Sequence, residues 1–78
     1  MDYRYVYFYL EGDENCIADF ERSITSQYSY IQISYGVKNS NVLIEISGEK
    51  EFEKLEELTN DLRVKFDGKL AVDMRLEC

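Results

Sequence analysis

One segment near the start of the chain alternates so regularly that it constrains the fold more than any other feature. Residues 3–10 read Tyr-Arg-Tyr-Val-Tyr-Phe-Tyr-Leu, with tyrosine at every odd position. Successive side chains of a strand point to opposite faces of the sheet. The segment therefore predicts a strand whose core face consists of Val6, Phe8 and Leu10. Its opposite face is predicted to carry a ladder of tyrosines, Tyr3, Tyr5, Tyr7 and Tyr9.

A helix is predicted to follow this strand, over residues 14–25. Asp13 has the side chain of an N-cap, and Glu14 is favourable beside the positive end of the helix dipole. Apolar residues then recur with the spacing of a single helical face. They are Ile17, Phe20 and Ile24.

Residues 27–35 and 42–47 alternate again and predict two more strands, joined by a loop rich in turn-forming residues. The core face of the earlier strand is expected to hold Ile31, Ile33 and Tyr35. Its other face is expected to hold Tyr28, Tyr30, Gln32 and Ser34. The residues of the later strand expected to point away from the core are Leu43, Glu45 and Ser47.

A second helix is predicted to begin at Ser47 or Gly48 and to end at Asp67-Gly68, with the glycine as a left-handed cap. Asp-Gly is also a hairpin signal, so residues 64–66 have an alternative interpretation as a strand. We prefer the helix because Leu62 and Phe66 lie four residues apart on one helical face. Residues 70–76 alternate once more and predict the last strand, with Leu70, Val72, Met74 and Leu76 facing the core.

The predicted order is β-α-β-β-α-β within a single domain, residues 1–78. Two β-α-β halves of this kind form the α+β ferredoxin-like plait, a four-stranded antiparallel sheet with two helices on one face. Right-handed crossovers make the first and third strands central and leave the second and fourth at the edges. The other face of the sheet stays open.

Six of the seven tyrosines are expected on this open face, together with Leu43. Clustered tyrosines are typical of protein interfaces, although they can also stack on each other and cover their own sheet. A second candidate surface is an acidic row on the second helix, formed by Glu49, Glu53 and Glu57. It could dock on a basic protein, but the interleaved Lys50 and Lys54 favour an ordinary solvated face.

The net charge of −7 argues against direct binding to nucleic acid, whose phosphates need Lys and Arg. The RRM presents aromatics on the same sheet face, but the predicted third strand lacks its basic, aromatic pattern. Without histidine or a nucleophile beside a base, no enzyme, metal or cofactor is predicted. Cys16 and Cys78 are interpreted as reduced thiols of a cytoplasmic protein, with no signal peptide and no membrane segment.

The sequence thus favours a small acidic protein-binding module that inhibits a protein partner, in the manner of an immunity protein, an antitoxin or a phage anti-defence (anti-CRISPR) factor. The negative charge is compatible with a basic partner. This inhibitor role is inferred by analogy with other proteins of similar size and charge. Alternatively, the β-α-β-β-α-β order with a turn at Glu11-Gly12-Asp13 resembles an ACT-type regulatory domain. That resemblance implies a homo-oligomer, such as a homodimer, with a small ligand at the subunit interface.

Overall fold

The computed structural model describes residues 3–36 and 39–77, without the side chains of Tyr3 and Tyr35. Its elements in chain order are β1 (Tyr3–Gly12), α1 (Glu14–Thr25), β2 (Tyr30–Gly36), β3 (Asn39–Ser47), α2 (Glu49–Lys65) and β4 (Leu70–Glu77). All strand pairs are antiparallel and form one sheet in the order β2-β3-β1-β4. The predicted α+β ferredoxin-like plait, with central first and third strands, is therefore confirmed.

The core lies between the sheet and the two helices, on the face predicted from the alternation of β1. Phe8 is fully buried opposite Val42 of β3 and Met74 of β4. Its ring meets the ring of Phe20 edge to face, with centroids 5.4 Å apart. Helix α2 adds Leu55, Leu62 and the residue after its end, Phe66, to the same cluster. Burial of each large side chain stabilises the fold by about 1.5–3 kcal/mol.

Helix α1 begins as its sequence predicts. The Asp13 carboxylate accepts hydrogen bonds from the backbone N–H groups of Asn15, at 2.8 Å, and Cys16, at 3.3 Å. These bonds satisfy two donors that have no partner within the helix. Farther along α1, the buried Glu21 carboxylate accepts a hydrogen bond from the Ser40 hydroxyl, which links this helix to β3.

The end of α2 decides between the two interpretations of the Asp67-Gly68 pair. The helix runs to Lys65, and the Phe66 N–H still donates to the Leu62 carbonyl at 2.9 Å. Gly68 then adopts a φ of +77°, the left-handed conformation that terminates many helices. The helical interpretation is therefore confirmed, and β4 begins two residues later.

A glycine is required at the point where β1 leaves the sheet. Gly12 lies opposite Leu70 of β4 and has a φ of +148°. A Cβ at this position would stand 2.3 Å from the Lys69 carbonyl oxygen. The next residue, Asp13, donates its N–H to that same oxygen at 3.1 Å. The close approach thus fixes the strand end and the start of α1 against β4.

Two predicted core residues are exposed. Ile31 is 49% exposed and Leu76 is 52% exposed. Ile31 leaves the core because it is the extra residue of a β-bulge. From Tyr30 to Gln32, β2 advances by two residues while its partner β3 advances by one. Leu76 stands near the end of β4, opposite Val6.

Three sequence-based predictions concern groups outside the described part of the structure. They are the Cys78 thiol and the side chains of Tyr3 and Tyr35, whose backbones lie in β1 and β2. Within the described ranges, neither helix is long and apolar enough to cross a membrane.

Candidate functional site

The open face of the sheet, turned away from both helices, is defined here by three rows of side chains that cross the strands. The register places Glu45 and Glu77 on either side of Tyr5 in the first row. The second row consists of Gln32, Leu43, Tyr7 and Arg75. The third row consists of Ser34, Asn41, Tyr9 and Asp73. The tyrosines thus form a column along the middle of the sheet.

The side chains of the tyrosine column are partly exposed to solvent. Tyr5, Tyr7, Tyr9 and Leu43 are half-buried by their neighbours on the face. Alternate residues of a strand stand about 7 Å apart, so each ring borders the next one along β1. Tyr3 continues the register opposite Ser47, but its side chain lies outside the described part of the structure.

The prediction that Tyr28 and Tyr30 extend the tyrosine column is wrong. Tyr30 pairs with Ile44, a core residue, so it belongs to the helix side of the sheet, where it is 57% exposed. Tyr28 precedes β2 and packs against the core. Its hydroxyl donates to the Glu51 carbonyl oxygen in α2 at 3.4 Å. Burial, and secondarily the charge of Glu51, raises the pKa of the Tyr28 phenol.

A shallow depression of about 300 Å³ crosses the open face beside Tyr7. It is lined by Tyr7, Gln32, Ser34, Asn41, Leu43 and Glu77. The Asn41 amide donates to the Ser34 hydroxyl at 3.4 Å. Its Oδ1 atom is buried and accepts no hydrogen bond from any described residue. The depression therefore combines an aromatic ring and an aliphatic side chain with a carboxylate.

The charges of the open face are mostly negative. Arg75 is its one cation among the three rows, and its guanidinium contacts the neighbouring Asp73 carboxylate at 3.2 Å. Glu45 and Glu77 form no ion pair within the described part of the chain. Tyr5 therefore lies between two carboxylates with which no described Lys or Arg side chain pairs.

The acidic row of α2 does not join this surface. Glu49, Glu53 and Glu57 are exposed on a helix that covers the opposite face of the sheet. Glu49 lies 3.7 Å from the Arg4 guanidinium, and Lys50 and Lys54 border the same stretch of helix. One flat partner cannot contact both the acidic row and the tyrosine column. The structure therefore separates the predicted site residues into two surfaces.

The described residues hold no group of three or more Cys, Asp or Glu side chains arranged to share a metal ion. Near the turn at Gly12, the Asp13 carboxylate is engaged in capping α1. Cys16 is a free, half-buried thiol that packs against the core.

Neither a protein-family model nor a curated protein matches the sequence. Among solved structures, the chain is similar to a de novo designed protein, Foldit4. The two share 12% identity and a TM-score of 0.61, over 99% of this chain and 98% of the design. At that identity the likeness concerns the fold alone. The argument for function therefore depends on the residues of the open face.

Proposed function

We propose that this chain is a non-enzymatic protein-binding module whose contact surface is the open face of the sheet. The observation that carries the proposal is the column of Tyr5, Tyr7 and Tyr9 on a central strand, with neither helix covering it. Tyrosine offers a large contact area with few rotatable bonds, so ordering it in a complex costs little entropy. The central position suits residues that dominate binding, because such residues cluster away from the rim.

The partner we propose is a protein segment that presents Arg or Lys side chains. Glu45 and Glu77 flank Tyr5, so a cation placed over that ring would meet both carboxylates. Cations are attracted to the face of an aromatic ring, and more strongly when water is excluded. The Glu77 carboxylate offers an acceptor for a guanidinium in the depression beside Tyr7.

The functional class we propose is an inhibitor that occupies its partner by binding alone. A 78-residue acidic domain of net charge −7 can cover a basic functional surface of a larger protein without any chemistry of its own. Immunity proteins, antitoxins and phage anti-defence factors act in this way. The acidic row of α2 is left out of the proposed contact surface because it lies on the other side of the molecule.

The test compares two identical substitutions on opposite sides of the sheet. The tagged chain is used to capture its partner from the cells that produce it, and the purified partner is then titrated by calorimetry. Tyr7→Ser is expected to raise the Kd at least about 30-fold, the effect of losing a central tyrosine contact. Tyr30→Ser is the matched control, because Tyr30 lies on the helix side, and its Kd should equal that of the wild type.

Circular dichroism and urea unfolding of both variants separate lost binding from lost folding. A folded Tyr7→Ser variant that binds as tightly as the wild type would contradict the proposal. If its stability alone fell, the tyrosines would be the sheet's own cover. Binding should also weaken as salt is added, since opposite charges at a surface are screened within about 8 Å at physiological ionic strength.

A further inference from the structure

The longest uncharged stretch of the chain coincides with an edge of the sheet. Residues 23–37 contain no Asp, Glu, Lys or Arg, although 32% of the whole chain is charged. Strand β2 (Tyr30–Gly36) lies entirely within this stretch. Among the described residues, β2 pairs with β3 alone, so its outer edge has no strand beside it.

The other edge of the sheet shows how such an edge is ordinarily protected. Strand β4 carries Asp73, Arg75 and Glu77, and charged side chains discourage a further strand from adding. Strand β2 has no charge and no proline, and its residues include tyrosine and isoleucine, which favour strands. Its one irregularity is the bulge between Tyr30 and Gln32. From Gln32 to Gly36 the ladder with β3 is regular.

We propose that the outer edge of β2 is a homodimerisation site, at which Gln32–Gly36 pairs antiparallel with the same segment of a second copy. Alternate residues of this segment direct their N–H and C=O groups away from β3, where a second strand can accept and donate hydrogen bonds. An antiparallel pair of identical strands has two-fold symmetry, so both copies use the same surface.

A second copy is the occupant that the charges favour. Two chains of net charge −7 repel each other, and this repulsion is weakest where the facing surface carries no charge. A basic partner would gain nothing at β2, because the strand offers no carboxylate. Tyr30 and Ile31, exposed at the end of the regular ladder, provide apolar contact area beside the paired strands.

The proposed dimer extends the sheet without covering its open face. A two-fold axis perpendicular to the sheet keeps all helices on one side and places both tyrosine columns on the other. The dimer contact uses the outer backbone edge of β2, whereas the tyrosine column lies on the central strand β1. The dimer therefore does not depend on the proposed function.

The experiment measures mass by light scattering over a concentration series of the full chain. The wild type should move from the 9.2 kDa of the monomer towards twice that mass as concentration rises. This shift should occur at lower protein concentration in about 0.5 M than in about 0.05 M NaCl, because salt screens the repulsion between the acidic copies. Docking of a basic partner on the open face has the opposite salt dependence.

Two variants with the same change of charge locate the contact. Ser34→Lys places a lysine in the middle of the proposed ladder, opposite its own copy, and should keep the protein monomeric. Ala71→Lys puts the same residue on the exposed part of the other edge strand and should dimerise like the wild type. If circular dichroism shows that Ser34→Lys is misfolded, Gln32→Lys takes its place.

Two results would overturn the proposal. One is a wild type that stays at the monomer mass at every concentration and salt level. The other is a pair of folded lysine variants that behave alike, whether both dimerise or both remain monomers.

Discussion

Replacing Gly12 by alanine should destabilise this protein more than replacing any other described glycine. The new Cβ would stand 2.3 Å from the Lys69 carbonyl oxygen and 3.0 Å from the Leu70 Cα. Both are backbone atoms, so no side chain can rotate to make room. The end of β1 must move away from β4, which breaks the hydrogen bond from the Asp13 N–H to the Lys69 oxygen.

The expected loss can be estimated from its separate causes. A positive φ costs a non-glycine residue about 1–2 kcal/mol. Forcing an extra carbon into a packed region costs about 1–3 kcal/mol, and a lost hydrogen bond about 1 kcal/mol. Gly12→Ala should therefore lose about 4 kcal/mol of unfolding free energy. A domain of 78 residues has about 4–12 kcal/mol in total, so the variant should be largely unfolded or barely stable.

Gly48→Ala is the control for this prediction. Gly48 also has a positive φ, +87°, but a Cβ there would meet no atom within 4 Å. Its substitution should cost about 1–2 kcal/mol from backbone strain alone. Urea unfolding followed by circular dichroism measures both losses. Equal losses for the two variants would refute the argument, because the collision with Lys69 would then contribute nothing.

Three further predictions concern the core, a helix cap and a phenol. Phe8→Ala should cost about 3–5 kcal/mol in urea unfolding, since Phe8 is fully buried; a loss below 1 kcal/mol would contradict its central position. Asp13→Ala should cost about 1 kcal/mol while Asp13→Asn stays close to the wild type, because both Asp and Asn accept capping hydrogen bonds; equal losses would exclude a capping role. Burial raises the pKa of the Tyr28 phenol above 10.0, so the contribution of this phenol to stability is complete below pH 10.0 and is lost as the pH rises past the folded pKa. Ultraviolet titration should show a late-ionising phenol that is absent in Tyr28→Phe.

Most of the fold follows from patterns that are local in the sequence. The alternation of residues 3–10 places Phe8 in the core, and its strand pairs on both sides as a central strand should. Asp13 caps α1, and Gly68 ends the turn after α2 with a positive φ. The alternation, the helix cap and the glycine turn each depend on residues close together in the sequence, so the sequence alone contains that information.

The positions of Tyr28 and Tyr30 could not be predicted in the same way. The prediction assumes that side chains alternate without interruption over residues 27–35. The structure has a bulge at Ile31, which adds one residue to β2. Because side chains alternate with a period of two, the extra residue moves every earlier side chain to the other face. No glycine marks this bulge in the sequence. The pairing with β3, a contact between separate strands, determines where it falls.

The candidate site was predicted in part for a related reason. Alternation placed Tyr5, Tyr7, Tyr9 and Leu43 on one face, and the structure brings them together. The spacing of Glu49, Glu53 and Glu57 predicts an acidic row along α2, and the helix contains it. Helical spacing does not indicate on which side of the sheet the helix packs. Asn41 was missed, because only the register with Tyr9 and Ser34 shows it beside the tyrosine column.

The two faces of β1 have a consequence for how such a protein can change over generations. The even positions of β1 are buried in the core, whereas the odd positions lie half-buried on the open face: Val6, Phe8 and Leu10 alternate with Tyr5, Tyr7 and Tyr9. Core packing therefore constrains the even positions more than the odd ones. Under the proposed function, substitutions at the odd positions change the contact surface while the hydrophobic packing beneath stays intact. A library that randomises the odd positions of β1 and keeps the even ones should therefore yield many folded variants with new binding preferences. Randomising the even positions should yield few.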